Sequence, residues 1–279
     1  MAEWSMSFYN RCQSRWTEAN SLLCVGLDPE PGRLPVPLKD LPSDQAIFEF
    51  CKGIVDATAP FAAAFKPQIA HFSAQGAEPV LQEVCRYIRQ TQPAMLIILD
   101  AKRGDVGNTA RHYATEAFQR YQADAVTLSP YMGFDSIEPF LDQPERGVFL
   151  LCRTSNAGGA DLQDLALANG RRLFEQVALL CATEWSAQQN LGLVVGATVP
   201  DDIARVRQFA PQTPLLVPGI GAQGGDLAAA LRAGCTPSGG LFVNASRSIL
   251  YASSGEDWQQ AAAREARTLR DAIQGERAS

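Results

Sequence analysis

Residues 95–128 read MLIILDAKRGDVGNTARHYATEAFQRYQADAVTL. The opening run, MLIILDA (95–101), is nearly continuous in apolar residues with little alternation, the pattern of a parallel strand buried on both faces. A helical pattern follows over 108–121, and DAVTL (124–128) reads as the next strand. This strand–helix–strand unit repeats in both directions. Further strand candidates are 21–27, 61–67, 147–152, 191–197, 214–218 and 240–245, with helix-like segments at 43–58, 73–91, 135–141, 163–189, 200–209, 225–233, 247–252 and 256–273. An extra N-terminal helix over 5–19 precedes the first strand. Eight strands, each followed by a helix, suit a closed (β/α)8 TIM barrel better than an open doubly wound sheet. No linker or composition break interrupts the chain, so residues 1–279 are read as a single catalytic domain.

The totals narrow the function. A net charge of −6, with no basic stripe, argues against nucleic acid as a partner. The opening MAEWSMSFYN lacks a basic stretch leading into an apolar core, so no signal peptide is expected. No apolar run approaches the roughly 20 residues of a membrane span. Seven cysteines, widely spaced and without a C-x-x-C, read as buried thiols of a soluble, cytoplasmic protein.

In such a barrel, chemistry belongs at the C-terminal ends of the strands. Strand 1 ends at Asp28, strand 2 at Lys66, strand 3 at Asp100 and Lys102, strand 5 at Arg153 to Ser155, and strand 8 at Asn244 and Arg247. The N-terminal ends show no comparable cluster. Asp100 and Lys102 are two residues apart, so on an extended strand both point to one face. If that face is the barrel interior, Lys66 can reach them and complete an alternating Lys–Asp–Lys row. The competing reading is a strand end whose charges are solvated. Arg103 faces the other way and is expected to pair at the surface. Asp105, just ahead of the 108–121 helix, reads as a helix cap.

The segment GIGAQG (219–224) matches G-x-G-x-x-G, but it follows the seventh strand and no acidic residue lies about twenty positions on, which disfavours a dinucleotide. A glycine loop ahead of a helix still suits a phosphate, with Gly221, Gln223 and Gly224 in the loop and Arg247 arriving from strand 8. The alternative is a tight turn alone. The two histidines, His71 and His112, are too few for a metal site or triad and read as helix-surface residues.

The segments VGLDP (25–29), FKPQ (65–68), LDAKRGDVGNTA (99–110), RTSNAGG (153–159), VVGATVP (194–200), VPGIGAQGGD (217–226) and NASRSI (244–249) stand in an order that resembles the orotidine 5'-phosphate decarboxylase family, in its longer bacterial form. The resemblance implies a homodimeric barrel that converts orotidine 5'-monophosphate to UMP and CO2 in pyrimidine biosynthesis, without metal or organic cofactor. It implies that Lys66, Asp100, Lys102 and Asp105 form the catalytic network, with Lys102 protonating C6. Asp105 and Thr109 would complete the neighbouring subunit's site, in place of a capping role for Asp105. Asp28 and Lys66 would hold ribose hydroxyls, Ser155 and Pro218 would contact the substrate, and Gly221, Gln223, Gly224 and Arg247 would hold the phosphate. The alternatives are a Mg-dependent sugar-phosphate lyase or decarboxylase of the same superfamily and a non-catalytic nucleotide-phosphate-binding barrel. The first would carry an acid where this chain has Lys66; the second has no need of Lys102. The segment 29–42 and the tail after 255 depart most from the family pattern and suggest no function.

Overall fold

The computed structural model describes residues 6–220 and 226–278. Its strands are β1 (Leu23–Leu27), β2 (Ala64–Pro67), β3 (Leu96–Arg103), β4 (Ala125–Leu128), β5 (Gly147–Arg153), β6 (Leu191–Val195), β7 (Leu215–Pro218) and β8 (Leu241–Ala245). Each pairs in parallel with the next, and β8 pairs with β1, closing the expected (β/α)8 barrel. The apolar runs are explained by burial at every position of β1, β2, β4, β6 and β8.

The helices depart from their expected bounds where local chemistry intervenes. The 73–91 segment divides into Ile69–Ser73 and Glu78–Thr91, because Gly76 takes a left-handed backbone (φ 65°) that stops the first helix. The 163–189 segment divides into Ala160–Gln163 and Leu173–Ala182. Between them Ala166 bridges Arg172, and the Glu175 carboxylate accepts the Arg172 N–H to start the second helix. The 108–121 helix is α over Gly107–Thr115 and then widens to a π turn, Glu116–Arg120. Over 135–141 there are only two 3-10 turns, Phe134–Ser136 and Glu138–Phe140.

The N-terminal helix, Phe8–Ala19, closes the bottom of the barrel. The Ser7 side chain caps it, accepting from the Asn10 N–H. Its Phe8 ring meets Phe149 of β5 edge-on at 5.8 Å, and its Trp16 meets Phe242 of β8 at 5.0 Å; Phe149 and Phe242 meet each other at 6.0 Å. All four are buried. This aromatic stack fills the lower barrel and leaves the upper end for polar groups.

The bottom also carries a polar cluster that was not expected there. Buried Asp124 accepts from Arg11 (2.6 Å), Arg89 (2.6 Å), Arg146 (3.4 Å) and the Ile97 N–H (2.8 Å). The same guanidinium groups donate to the carbonyls of Glu145, Gln122 and Ala123. The arginines come from helices and loops far apart in sequence, which is why strand ends alone do not reveal them. They border a concavity of about 700 Å³, and these hydrogen bonds hold the barrel floor. Removing one partner of a buried ionic cluster typically costs about 3–5 kcal/mol. Asp124→Ala is therefore expected to lower unfolding free energy in urea by about that amount; an unchanged midpoint would contradict this role.

The two segments without an expected function have a structural one. Trp258 opens the last helix, Trp258–Ala278, and packs on Phe50 at 5.5 Å. Phe50 also stacks on Tyr251, whose hydroxyl donates to the Asp28 carbonyl (3.0 Å) and accepts from the Glu30 N–H (2.7 Å). Arg33 lies over the Tyr251 ring, and the Val36 N–H donates to the Ser254 carbonyl. The 29–42 segment and the tail thus brace the exit of β1.

Candidate active site

A cavity of about 190 Å³ opens at the C-terminal ends of the strands, lined among others by Asp28, Lys66, Asp100, Pro218, Asn244 and Arg247. These residues come from five different strands or the loops after them, and barrel closure alone brings them together. The Asp100 carboxylate is the centre. Its Oδ2 accepts from Lys66 Nζ at 2.8 Å and its Oδ1 from Lys102 Nζ at 2.6 Å. The expected Lys–Asp–Lys row is present, and the solvated-end reading fails for Asp100 of β3, which is 7% exposed.

The electrostatics are those of a coupled buried row. Burial by itself would push the Lys66 ammonium down, but Asp100 and Asp28 outweigh it and raise its pKa above the ordinary lysine value. Burial would likewise raise the Asp100 carboxyl, yet the charges of Lys66 and Lys102, and their hydrogen bonds, hold it well below the usual carboxylate range. Lys66 is therefore a fixed cation and Asp100 a fixed anion, while the Lys102 side chain, paired with Asp100, is 47% exposed.

Lys102 reaches Asp100 by a route the period-2 reading did not anticipate. Its backbone is left-handed (φ 47°), at a cost of about 1–2 kcal/mol for a non-glycine residue. The β3–β4 register shifts between Leu99 and Arg103, so β3 is not a regular strand there. Arg103 turns outward as expected, forked onto Glu116 and lying over the Tyr113 ring.

Asp105 is neither a helix cap nor part of its own chain's row. Val106 occupies the cap position without a side-chain bond, and the Asp105 carboxylate accepts the Val106 N–H at 2.8 Å. Thr109 is exposed on the following helix. Ser155 lies beyond β5 at the same end, packed so closely on Gly196 that any β-carbon there would fall within 2.8 Å of it. Arg153 points away from the cavity to Asp202 and Asp164. Arg247 lies at the cavity with no ion pair among the described residues. Gly221, Gln223 and Gly224 lie outside the described residues.

Two contributors, His71 and Thr127, escaped the sequence reading, whereas Asn244 stands at the end of strand 8 as that reading placed it. His71, expected at a helix surface, lines the cavity, with Nδ1 3.3 Å from the Pro29 carbonyl. Its place beside FKPQ was the available signal. Asn244 is 8% exposed, and its Oδ1, like Asp28 Oδ1, is buried without a hydrogen-bond partner among the described residues. Thr127, a hydroxyl in the apolar run DAVTL, bonds to Asp100.

Residues 21–264 match the Orotidine 5'-phosphate decarboxylase / HUMPS family. The chain belongs to that family. Among curated proteins it is 56% identical over 270 residues to the orotidine 5'-phosphate decarboxylase of Bordetella pertussis, covering 96% of this chain and 98% of that one. It is 55% identical to the enzyme of Ralstonia nicotianae with the same coverage. Among solved structures, the OMP decarboxylase of Leishmania donovani superposes with a TM-score of 0.84 at 41% identity, covering 98% of this chain and 100% of that one. The barrel is thus the decarboxylase barrel in fold as well as in sequence. No helix among the described residues is long and apolar enough to cross a membrane.

Proposed function

We propose that residues 1–279 act as one catalytic domain that decarboxylates orotidine 5'-monophosphate to UMP, using side chains alone. The observation that carries this reading is the row Lys66–Asp100–Lys102 at the strand ends, with Arg247, which has no ion pair among the described residues, at the same cavity. The C6–carboxylate bond breaks and its electron pair stays on C6. That carbanion has little resonance help, so a fixed cation beside it lowers the barrier, and Lys102 then donates its proton to C6. Water reprotonates the lysine after product leaves. Asp100, held ionised, faces the substrate carboxylate and favours its departure by like-charge repulsion.

Binding follows the same geometry. Arg247, with Gly221, Gln223 and Gly224, takes the phosphate. Asp28 and Lys66 hold ribose hydroxyls; the orphaned Oδ1 atoms of Asp28 and Asn244 supply acceptors that need such donors. Ser155 and Pro218 contact the pyrimidine side. The protein works as a cytoplasmic homodimer in which Asp105 and Thr109 complete the partner's site. Two observations support this: Asp105 has no ion pair in its own chain's row, and Val106, Tyr131 (79% exposed) and Met132 present apolar surface at the adjoining β3 and β4 loops.

The metal-dependent branch of the superfamily is disfavoured by Lys66, whose ammonium sits 2.8 Å from Asp100 where a divalent cation would be repelled. Turnover of orotidine 5'-monophosphate, followed by loss of its ultraviolet absorbance, is expected to be unchanged by EDTA. Activity abolished by the chelator and restored by Mg2+ would move the chain to that branch.

A further inference from the structure

The β3 irregularity at Lys102 has an identifiable cause on β4. Leu99 pairs with Val126 and Arg103 with Leu128, so four steps along β3 match two along β4. Residues 100–102 face a single β4 residue, Thr127, which is 1% exposed. In a regular ladder the N–H groups of Ala101 and Lys102 would not converge on one side-chain atom. Here both donate to Thr127 Oγ1, at 3.0 and 2.9 Å, while the same hydroxyl donates to Asp100 Oδ1 at 2.9 Å. A hydroxyl has one donor and two acceptor lone pairs, and all three are engaged. Thr127 therefore binds the peptide N–H groups on either side of the Ala101 α-carbon and the carboxylate that Lys102 grips.

We propose that Thr127 is a positioning residue for the decarboxylation, holding the β3 bulge that turns the Lys102 ammonium over Asp100. The inference rests on the functional reading above, in which Lys102 is the proton donor. Proton delivery to carbon depends on direction, and a misplacement of about 1 Å can cost on the order of a hundredfold in rate. Ground-state binding depends on other groups, chiefly those at the phosphate and ribose. The loss on removing the hydroxyl therefore falls on kcat, with the affinity for UMP largely kept.

The test compares Thr127→Val, which keeps the shape but loses the hydroxyl, with Thr127→Ser, which keeps the hydroxyl, and Thr127→Ala as a second deletion should the valine protein not fold. Expected is a fall in kcat of about a hundredfold or more for Val and Ala, UMP affinity within about threefold of wild type, and recovery to within about fivefold in Ser. Wild-type turnover by Val or Ala overturns the inference alone. So does a parallel fall of kcat, UMP affinity and melting temperature without rescue by Ser, which marks a merely structural role. A wild-type protein that binds UMP but does not turn over orotidine 5'-monophosphate overturns the functional reading, and this inference with it.

Discussion

Lys102→Ala is expected to bind UMP and to lose decarboxylation. The Lys102 side chain is half exposed, so its removal takes little packing from the core. Asp100 keeps Lys66 at 2.8 Å and Thr127 at 2.9 Å, and so stays ionised and in place. What is lost is the cation beside C6 and the proton it delivers. General acid catalysis is typically worth about 10²–10⁴ and electrostatic stabilisation of a developing anion about 10²–10³, so a fall in kcat of at least about 10⁴ is expected. UMP has no carboxylate at C6 and gains little from Lys102, so its affinity should remain within about tenfold. Turnover within tenfold of wild type, measured by orotidylate absorbance, would remove Lys102 from its assigned role.

The second large effect is a recovery. Lys102→Ala and Asp105→Ala homodimers each carry two damaged sites. In a heterodimer of the two, one site carries both lesions, while the other receives Lys102 from one chain and Asp105 from its partner. Two-fold symmetry then predicts about half the wild-type rate per dimer once the heterodimer is purified through two different tags. A purified heterodimer no more active than the Asp105→Ala homodimer would show that Asp105 is not lent across the interface. Its position suits that lending: among the described residues its carboxylate is held by the Val106 N–H alone, beside exposed apolar side chains.

Much of this is legible in the amino-acid sequence. All eight strands stood out as short apolar runs because barrel strands are buried on both faces and have no polar side to show. The polar ends of those strands marked one end of the barrel, and Lys66, Asp100 and Lys102 did meet there. Other features were hidden because they depend on pairs of residues far apart in the chain. The arginines on Asp124 come from three separate elements. Tyr251 clasps Asp28 and Glu30 from across the whole sequence, and His71 reaches the cavity only because a five-residue helix turns it there.

Lys102 shows where the division lies. Side-chain spacing along the chain determined that Asp100 and Lys102 could share a face, that Lys66 was in reach, and that the fold was a closed barrel. It could not determine the direction of the Lys102 ammonium, because period-2 logic holds only while the strand stays regular. Tertiary structure decided that point: the closure of β3 on β4 set three residues against Thr127 and turned the lysine through a left-handed backbone onto Asp100. Local pattern follows from which residues must be buried, whereas the aim of one charged group follows from hydrogen bonds that form only when distant strands meet.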